Sequence, residues 1–212
     1  MRKVIVMGIA LSLAISAALA ADMPPLRGDR FKPLDLNKLD PAQESMIRDI
    51  LAGPRGSLNG PFNILLRSPE LGNRLQAVGE YLRFKTSLPH AVNEFAILTI
   101  AREWMAQYEF FAHKKLALVA GVKESVIDDI AAGRTPTEMM SDQRAVWTFI
   151  KELDSNHRVS DSTFANVKRR FGERGVVDLI GLAGYYHTMS MLMNVDRYPM
   201  PSGEPLPLQT LK

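Results

Sequence analysis

The sequence predicts an all-α protein. Apolar residues recur three and four positions apart along most of the chain, and no segment alternates with a period of two over the length of a strand. The least interrupted helical segment covers residues 88–121, with Pro89 near its start and Gly121 just past its end. These are the usual places for proline and glycine at a helix start and stop. We therefore expect a helical bundle organised around this segment.

Length and composition indicate one domain with an ordinary core. The chain has 212 residues, of which 46% are hydrophobic and 23% charged, and both fractions are typical of globular proteins. It contains no cysteine. Disulfides, thiol chemistry, thiolate metal sites and iron–sulfur clusters are therefore excluded.

The first 20 residues have the form of a secretory signal peptide. Arg2 and Lys3 precede an almost wholly apolar run over residues 4–19, and Ala18-Leu19-Ala20 fits the rule for a cleavage site. The alternative is an uncleaved membrane anchor. Cleavage removes two basic and no acidic residues, so the formal charge falls from +3 to +1. We expect a periplasmic or secreted protein that binds neither nucleic acid nor membrane after cleavage.

The N-terminal part of the mature chain predicts an arm followed by two helices. Residues 21–39 are polar and contain proline, which favours an extended arm. Asp40 and Gln43 around Pro41 form a helix-start pattern, so a helix is expected to about Ala52. A second helix is expected from Ser68-Pro69-Glu70 to about Phe84. Its buried stripe is predicted to comprise Leu71, Leu75, Val78 and Leu82.

The central segment is too long for one straight helix in a small domain. Residues 91–120 would span about 45 Å, so we expect a break near residues 105–108, although neither glycine nor proline marks it. A short helix over about 123–132 should follow and end at Gly133.

The C-terminal part predicts three more helices. The first covers about 141–156, and its predicted inward residues are Ala145, Val146, Phe149, Ile150 and Leu153. The second begins at Ser160-Asp161-Ser162 and stops at Gly172. The last, over about 176–195, is apolar nearly all round and is expected to be buried. The Pro-rich tail, residues 196–212, is expected to pack on a surface or a neighbouring subunit.

Glu109 and His113 are the strongest candidates for chemistry. Their i, i+4 spacing places them one turn apart on one helix face. A carboxylate beside an imidazole can fix its tautomer, raise its pKa and allow proton transfer near neutral pH. The alternative is a surface pair that only stabilises the helix.

Glu94 and Tyr108 are secondary candidates. Glu94 lies too far along an unbroken helix to reach His113, but a turn near Met105 would bring the two together. Tyr108 could donate a hydrogen bond to a substrate oxygen. The alternatives are a solvated glutamate and a half-buried tyrosine.

A metal site is the weaker interpretation. Glu109, His113 and His187 could supply three ligands, but the sequence has no HExxH and no second close histidine pair. His187 is also expected to be a satisfied core residue. We therefore predict no metal and no cofactor.

These residues, taken in order, resemble the carboxymuconolactone decarboxylase family of the alkylhydroperoxidase D-like superfamily. The resemblance rests on Leu88-Pro89, Glu94-x-Ala-Ile-Leu, Tyr108-Glu109-x-x-x-His113, Ala117 and Ala120-Gly121. Gly60-Pro61-Phe62-Asn63 and Ser68-Pro69-Glu70 before this set, and Asp178-Leu179-Ile180-Gly181 to Tyr185-Tyr186 after it, add support. It covers residues 40–207.

The resemblance implies a single helical domain over about residues 40–195, a homotrimer or trimer-based hexamer, and a pocket for a small molecule around the Glu–His helix. It implies loss of CO₂ from a carboxylated lactone or related acid. His113 would be the acid–base group, Glu109 its orienting partner, Glu94 a second relay member and Tyr108 a substrate contact. The superfamily's peroxidase branch has cysteines where this chain has Ala106 and Glu109, so thiol peroxidase activity is excluded.

Two readings stay open from the sequence. The first is a lyase acting on a small organic acid, and the second is a ligand-binding oligomer of the same fold without catalysis. Convergence of Glu94, Glu109 and His113 around one point would favour the first.

Overall fold

All regular structure between residues 26 and 209, the part of the chain that the computed structural model describes, is helical. This confirms the predicted all-α class; the predicted signal peptide lies outside the described residues. The eight helices are α1 Pro41–Ala52, α2 Phe62–Leu65, α3 Pro69–Phe84, α4 His90–Glu103, α5 Gln107–Val119, α6 Glu124–Ala131, α7 Ser141–Asn156 and α8 Asp161–Asp196. Over this range, none of them combines the length and hydropathy needed to cross a membrane.

Helix α1 begins and ends as predicted. The Asp40 carboxylate accepts hydrogen bonds from the backbone N–H groups of Ala42 and Gln43, and the Gln43 side chain accepts one from the Asp40 N–H at 2.9 Å. This reciprocal cap satisfies donors that the first helical turn leaves unpaired.

The predicted break in the central segment is confirmed at Met105. Helix α4 ends at Glu103 and α5 begins at Gln107. Met105 between them has a φ of 51°, in the left-handed region. The Ala106 N–H bonds the Ala101 carbonyl at 2.9 Å and closes the turn. The chain thus reverses without a glycine, and α4 and α5 pack side by side.

Helix α4 is the centre of the main core. It packs against α5, α6, α7 and α8, and every residue from Val92 to Arg102 is buried. A second, smaller core lies beneath the N-terminal arm. It contains Leu26, Met46, Ile47, Ile50, Leu58, Phe62, Leu65 and Leu66.

The predicted buried stripe of α3 is wrong in part. Leu82 is buried and Leu75 is partly buried, but Leu71 and Val78 are 53% and 46% exposed. The helix instead turns Gly72 and Gly79 inward. A Cβ at Gly72 would lie 2.6 Å from Met46, so close helix packing on the glycine face explains the difference.

Helix α8 differs from the prediction at two points. The expected stop at Gly172 is a kink, with φ 69° and ψ 177°, inside one long element. The expected burial on all sides is also wrong, because one face is exposed. That outer face carries Val177, Ile180, Met191 and Val195, between 40% and 66% exposed.

The N-terminal arm and the C-terminal tail pack on the chain's own helices. The Asp196 carboxylate accepts the backbone N–H of Phe31 at 2.7 Å. The Gln107 side chain makes two hydrogen bonds to the Leu208 backbone, at 2.8 and 3.0 Å, and Leu208 is buried. The tail therefore covers the start of α5.

Candidate acid–base site

The structure brings His113 into contact with both candidate glutamates. The His113 Nδ1 lies 2.6 Å from Glu94 Oε2, and its Nε2 lies 3.2 Å from Glu109 Oε1. Glu109 comes from the same helix, one turn earlier, and Glu94 from α4. The ring is thus held between carboxylates from two antiparallel neighbouring helices.

The turn at Met105 makes this contact possible. Glu94 and His113 are 19 residues apart, which in one straight helix would separate them by about 28 Å. The reversal places the first half of α4 beside the middle of α5 instead. The predicted convergence of Glu94, Glu109 and His113 is therefore confirmed as geometry.

All three groups are withdrawn from solvent. Glu94 is 1% exposed, His113 5% and Glu109 6%. Burial by itself lowers the pKa of His113, but the hydrogen bonds and charges of Glu109 and Glu94 outweigh it and raise that pKa above its usual 6.5. The site therefore favours the imidazolium.

The contacts require a proton on each ring nitrogen if both carboxylates are ionised. A neutral imidazole carries one N–H, whereas the imidazolium carries two. The protonated ring can donate to Glu94 and to Glu109 at the same time. If the ring loses a proton, one carboxylate faces a nitrogen lone pair. The three side chains therefore bind or release one proton together.

Tyr186 is a member of the site that the sequence interpretation did not identify as functional. Its ring stands edge-on to the His113 ring, with centroids 5.2 Å apart and planes at 87°. The side chain is 1% exposed, and its hydroxyl is buried without a hydrogen-bond partner in the described structure. Burial raises the pKa of this phenol well above 10, so it stays neutral. The sequence could have indicated Tyr186 because it places a phenol on a mostly apolar helix face. A buried hydroxyl normally needs a hydrogen-bond partner.

Tyr108 lies next to the cluster, in a different set of contacts. Its hydroxyl accepts a hydrogen bond from Arg27 at 3.1 Å, and its ring packs on Tyr198 with centroids 4.6 Å apart. Within residues 26–209 it forms no hydrogen bond to His113, Glu94 or Glu109. It lines a cavity of about 470 Å³ that also includes Met193 and Leu206, so a ligand there would contact the phenol directly.

His187 is not part of the acid–base cluster. Its Nε2 lies 3.2 Å from Asp154 Oδ1, and its ring packs on Trp104 with centroids 5.9 Å apart. The ligand set of Glu109, His113 and His187 is therefore not assembled. The part of the chain described here contains no group of three or more histidine and acidic side chains placed to hold a metal ion.

Asp178 connects α8 to α3 and to the loop before α4 through hydrogen bonds. This buried carboxylate on α8 accepts hydrogen bonds from the Tyr81 hydroxyl, the Thr86 hydroxyl, and both the N–H and hydroxyl of Ser87, at 2.7 to 3.1 Å. Burial would raise the pKa of Asp178, but these hydrogen bonds lower it below 3.8. The ionised group ties α8 to the loop that leads into α4.

Comparison with protein-family models, with curated proteins and with solved structures finds no match to this chain.

Proposed function

We propose that this protein is a lyase resembling the carboxymuconolactone decarboxylases, which removes CO₂ from a small carboxylated lactone or related organic acid. The observation that carries the proposal is the buried His113 between Glu94 and Glu109. A surface pair that only stabilises a helix would be solvated, and this cluster is not.

The proposed reaction needs a proton delivered to carbon. The bond between the substrate carbon and its carboxylate breaks, CO₂ leaves, and the electron pair stays on that carbon, delocalised into the adjacent carbonyl. His113, protonated by virtue of its two acidic neighbours, donates its proton to the carbon. Glu94 and Glu109 hold the ring and return a proton from water, while Tyr108 binds a substrate oxygen.

Withdrawal of the cluster from bulk water also strengthens the electrostatic interactions between His113 and its two carboxylates. His113 is 5% exposed, which supports this role. The unpartnered Tyr186 hydroxyl beside the ring supplies a further neutral donor for a substrate oxygen.

We also propose that the protein acts as a homotrimer or trimer-based hexamer in the periplasm or after secretion. The support for association is the exposed apolar face of α8 around Val177 and Ile180. Light scattering of the mature chain tests the assembly, and a monomer at working concentration would contradict it. N-terminal sequencing of the exported protein tests the location and cleavage after Ala20.

The test of activity is CO₂ release from a panel of carboxylated five-membered lactones. His113→Gln should reduce turnover by at least about 10²-fold, the usual contribution of a general acid. His187→Gln is the matched control, because His187 also contacts a carboxylate but lies outside the cluster. Equal turnover by His113→Gln and wild type would contradict the mechanism. Ligand binding without CO₂ release from any member would favour the non-catalytic reading.

A further inference from the structure

Tyr108 and Tyr198 line the same cavity, and their rings pack directly on each other. The cavity, of about 470 Å³, lies between the start of α5, the end of α8 and the C-terminal tail. The two ring centroids are 4.6 Å apart, with the ring planes at 58°. Tyr108 is 9% exposed and Tyr198 is 8% exposed. Two largely buried phenols are therefore held side by side in the wall of one cavity.

Arg27, on the N-terminal arm, contacts both rings. One of its N–H groups donates a hydrogen bond to the Tyr108 hydroxyl at 3.1 Å. Its guanidinium carbon lies 5.1 Å from the centroid of the Tyr108 ring and 5.5 Å from that of Tyr198. The backbone N–H of Gly60 donates to the Tyr198 hydroxyl at 3.2 Å. A Cβ on Gly60 would lie 3.9 Å from Cε1 of Tyr108, so this glycine is close to the hydroxyl end of both rings.

Both hydroxyls accept hydrogen bonds, and neither donates one within residues 26–209. The groups that they meet are a guanidinium and a peptide N–H, which cannot accept a proton. Tyr81 shows the fully paired arrangement, because its hydroxyl accepts from Arg174 at 3.2 Å and donates to Asp178 at 2.9 Å. A hydroxyl proton withdrawn from water without an acceptor is unfavourable. A ligand oxygen bound in the cavity can supply the missing acceptor.

We propose that Tyr108 and Tyr198 form an oxyanion site, supported by Arg27, that binds an enolate or phenolate oxygen of a small cyclic ligand. Burial raises the pKa of both phenols, so they stay neutral and keep the protons that they donate. The positive charge of Arg27 opposes that rise and strengthens both O–H groups as donors. Donors fixed in advance around a developing negative charge stabilise it without reorganisation.

The other walls of the cavity indicate what kind of ligand carries this oxygen. Met193, Met200 and Leu206 present apolar surface. Arg197 is the one charged side chain among the described residues that line the cavity, and it is paired with Asp29 at 2.9 Å. A free carboxylate is best matched by an unpaired guanidinium fork, which this lining does not present. The cavity therefore suits an apolar ring that carries one delocalised negative oxygen.

The choice of an enolate rests on the proposed function, whereas the site itself rests on the two free hydroxyl donors. In the proposed reaction, the electron pair left behind by CO₂ is delocalised into the adjacent carbonyl, so negative charge accumulates on the carbonyl oxygen. Tyr108 and Tyr198 would hold that oxygen while His113 protonates the carbon. Arg27 is a positioning residue, because it acts through the two phenols.

The experiment compares binding of 4-nitrophenolate with binding of its neutral methyl ether, 4-nitroanisole. Calorimetry on the mature chain is carried out at about pH 8.5, where 4-nitrophenol is ionised and a tyrosine with its ordinary pKa of 10 is not. The phenolate should bind about tenfold or more tightly than the ether, because hydrogen bonds to a charged acceptor are the stronger kind. Tyr108→Phe and Tyr198→Phe each remove one hydroxyl and keep the ring. Each should reduce the preference by about threefold or more, and the double variant should abolish it.

Tyr81→Phe is the matched control. It also removes a hydroxyl that an arginine contacts, but Tyr81 lies on α3, outside the described wall of the cavity. It should keep the wild-type preference. Arg27→Gln should lower the preference, and Arg27→Lys should keep part of it because the charge is retained. A purely structural role of Arg27 would weaken both ligands equally and leave their ratio unchanged, and that result would remove Arg27 from the proposal. Circular dichroism melts of the free variants check folding.

The oxyanion site is overturned if wild type does not prefer the phenolate over the ether. It is also overturned if the double phenylalanine variant keeps the preference, since the charge of the nearby arginines would then be sufficient. Failure of the proposed lyase gives a different result: the phenolate preference persists in a protein that releases no CO₂ from the lactone panel. CO₂ release by a wild type without any phenolate preference removes the oxyanion site and keeps the lyase.

Discussion

Two histidines of this chain contact an acidic side chain at the same distance, yet their surroundings are opposite. His113 Nε2 lies 3.2 Å from Glu109, and His187 Nε2 lies 3.2 Å from Asp154. The His113 side chain is 7% exposed and has a second carboxylate, Glu94, on its other nitrogen. The His187 side chain is 22% exposed and lines an open groove of about 560 Å³.

The comparison shows that one short histidine–carboxylate distance does not identify a proton-transfer site. Both pairs satisfy that criterion. What distinguishes His113 is the combination of burial, two acids from two helices, and the resulting rise in its pKa. In the open groove, water and salt screen the single pair at His187, so its energetic weight is expected to be small.

The largest expected effect is on stability. His113→Ala leaves Glu94 and Glu109 buried and facing each other without a cation, which should cost about 3–5 kcal/mol of the free energy of unfolding. His187→Ala breaks a more exposed pair and should cost about 1 kcal/mol or less. Urea unfolding of both variants at about pH 6, where imidazole is largely protonated, measures the difference. If both variants lose the same free energy of unfolding, burial between two carboxylates does not distinguish His113 from His187.

The next effect is a pH dependence with a defined sign. The pKa of His113 is higher in the folded protein than in the unfolded chain. The stabilisation from its protonated ring is therefore complete below about pH 6.5 and is lost as pH rises through the folded pKa. Each unit of elevation corresponds to about 1.4 kcal/mol.

The free energy of unfolding of wild type and His113→Gln, measured from about pH 6 to pH 9, tests this dependence; His187→Gln is the control. Wild type should lose stability relative to His113→Gln as pH rises, and His187→Gln should follow wild type. A wild-type curve parallel to His113→Gln would show that the cluster does not bind an extra proton on folding.

Features set by neighbours in the chain could be predicted from the sequence. The cap at Asp40 and the i, i+4 pair of Glu109 and His113 depend on a few adjacent residues. The break at Met105 could be predicted from the length of the segment alone, because one straight helix would be longer than a small domain. Once that break is assumed, the meeting of Glu94 with His113 follows.

Features set by packing between distant helices could not be predicted in this way. Leu71 and Val78 fit an amphipathic pattern, but Gly72 and Gly79 allow a closer approach on another face of α3. The exposed face of α8 carries large apolar residues such as Val177 and Ile180, as its buried side does, so the hydrophobic pattern does not tell the two sides apart. Tyr186 reaches the His113 ring from α8, and no local spacing in the sequence encodes that contact.

The smallest expected effect on stability distinguishes a structural role from a functional one at Tyr186. Its hydroxyl is buried without a partner in the described structure, so Tyr186→Phe removes an unsatisfied group and keeps the edge-on ring contact with His113. The free energy of unfolding should stay unchanged or rise by up to about 1 kcal/mol. If the hydroxyl binds a substrate oxygen, the same variant should raise KM or lower kcat, an effect that His187→Gln should not produce. A clear loss of stability would instead mean that the hydroxyl already has a partner in the free protein, and the phenol would then belong to the scaffold of the His113 cluster.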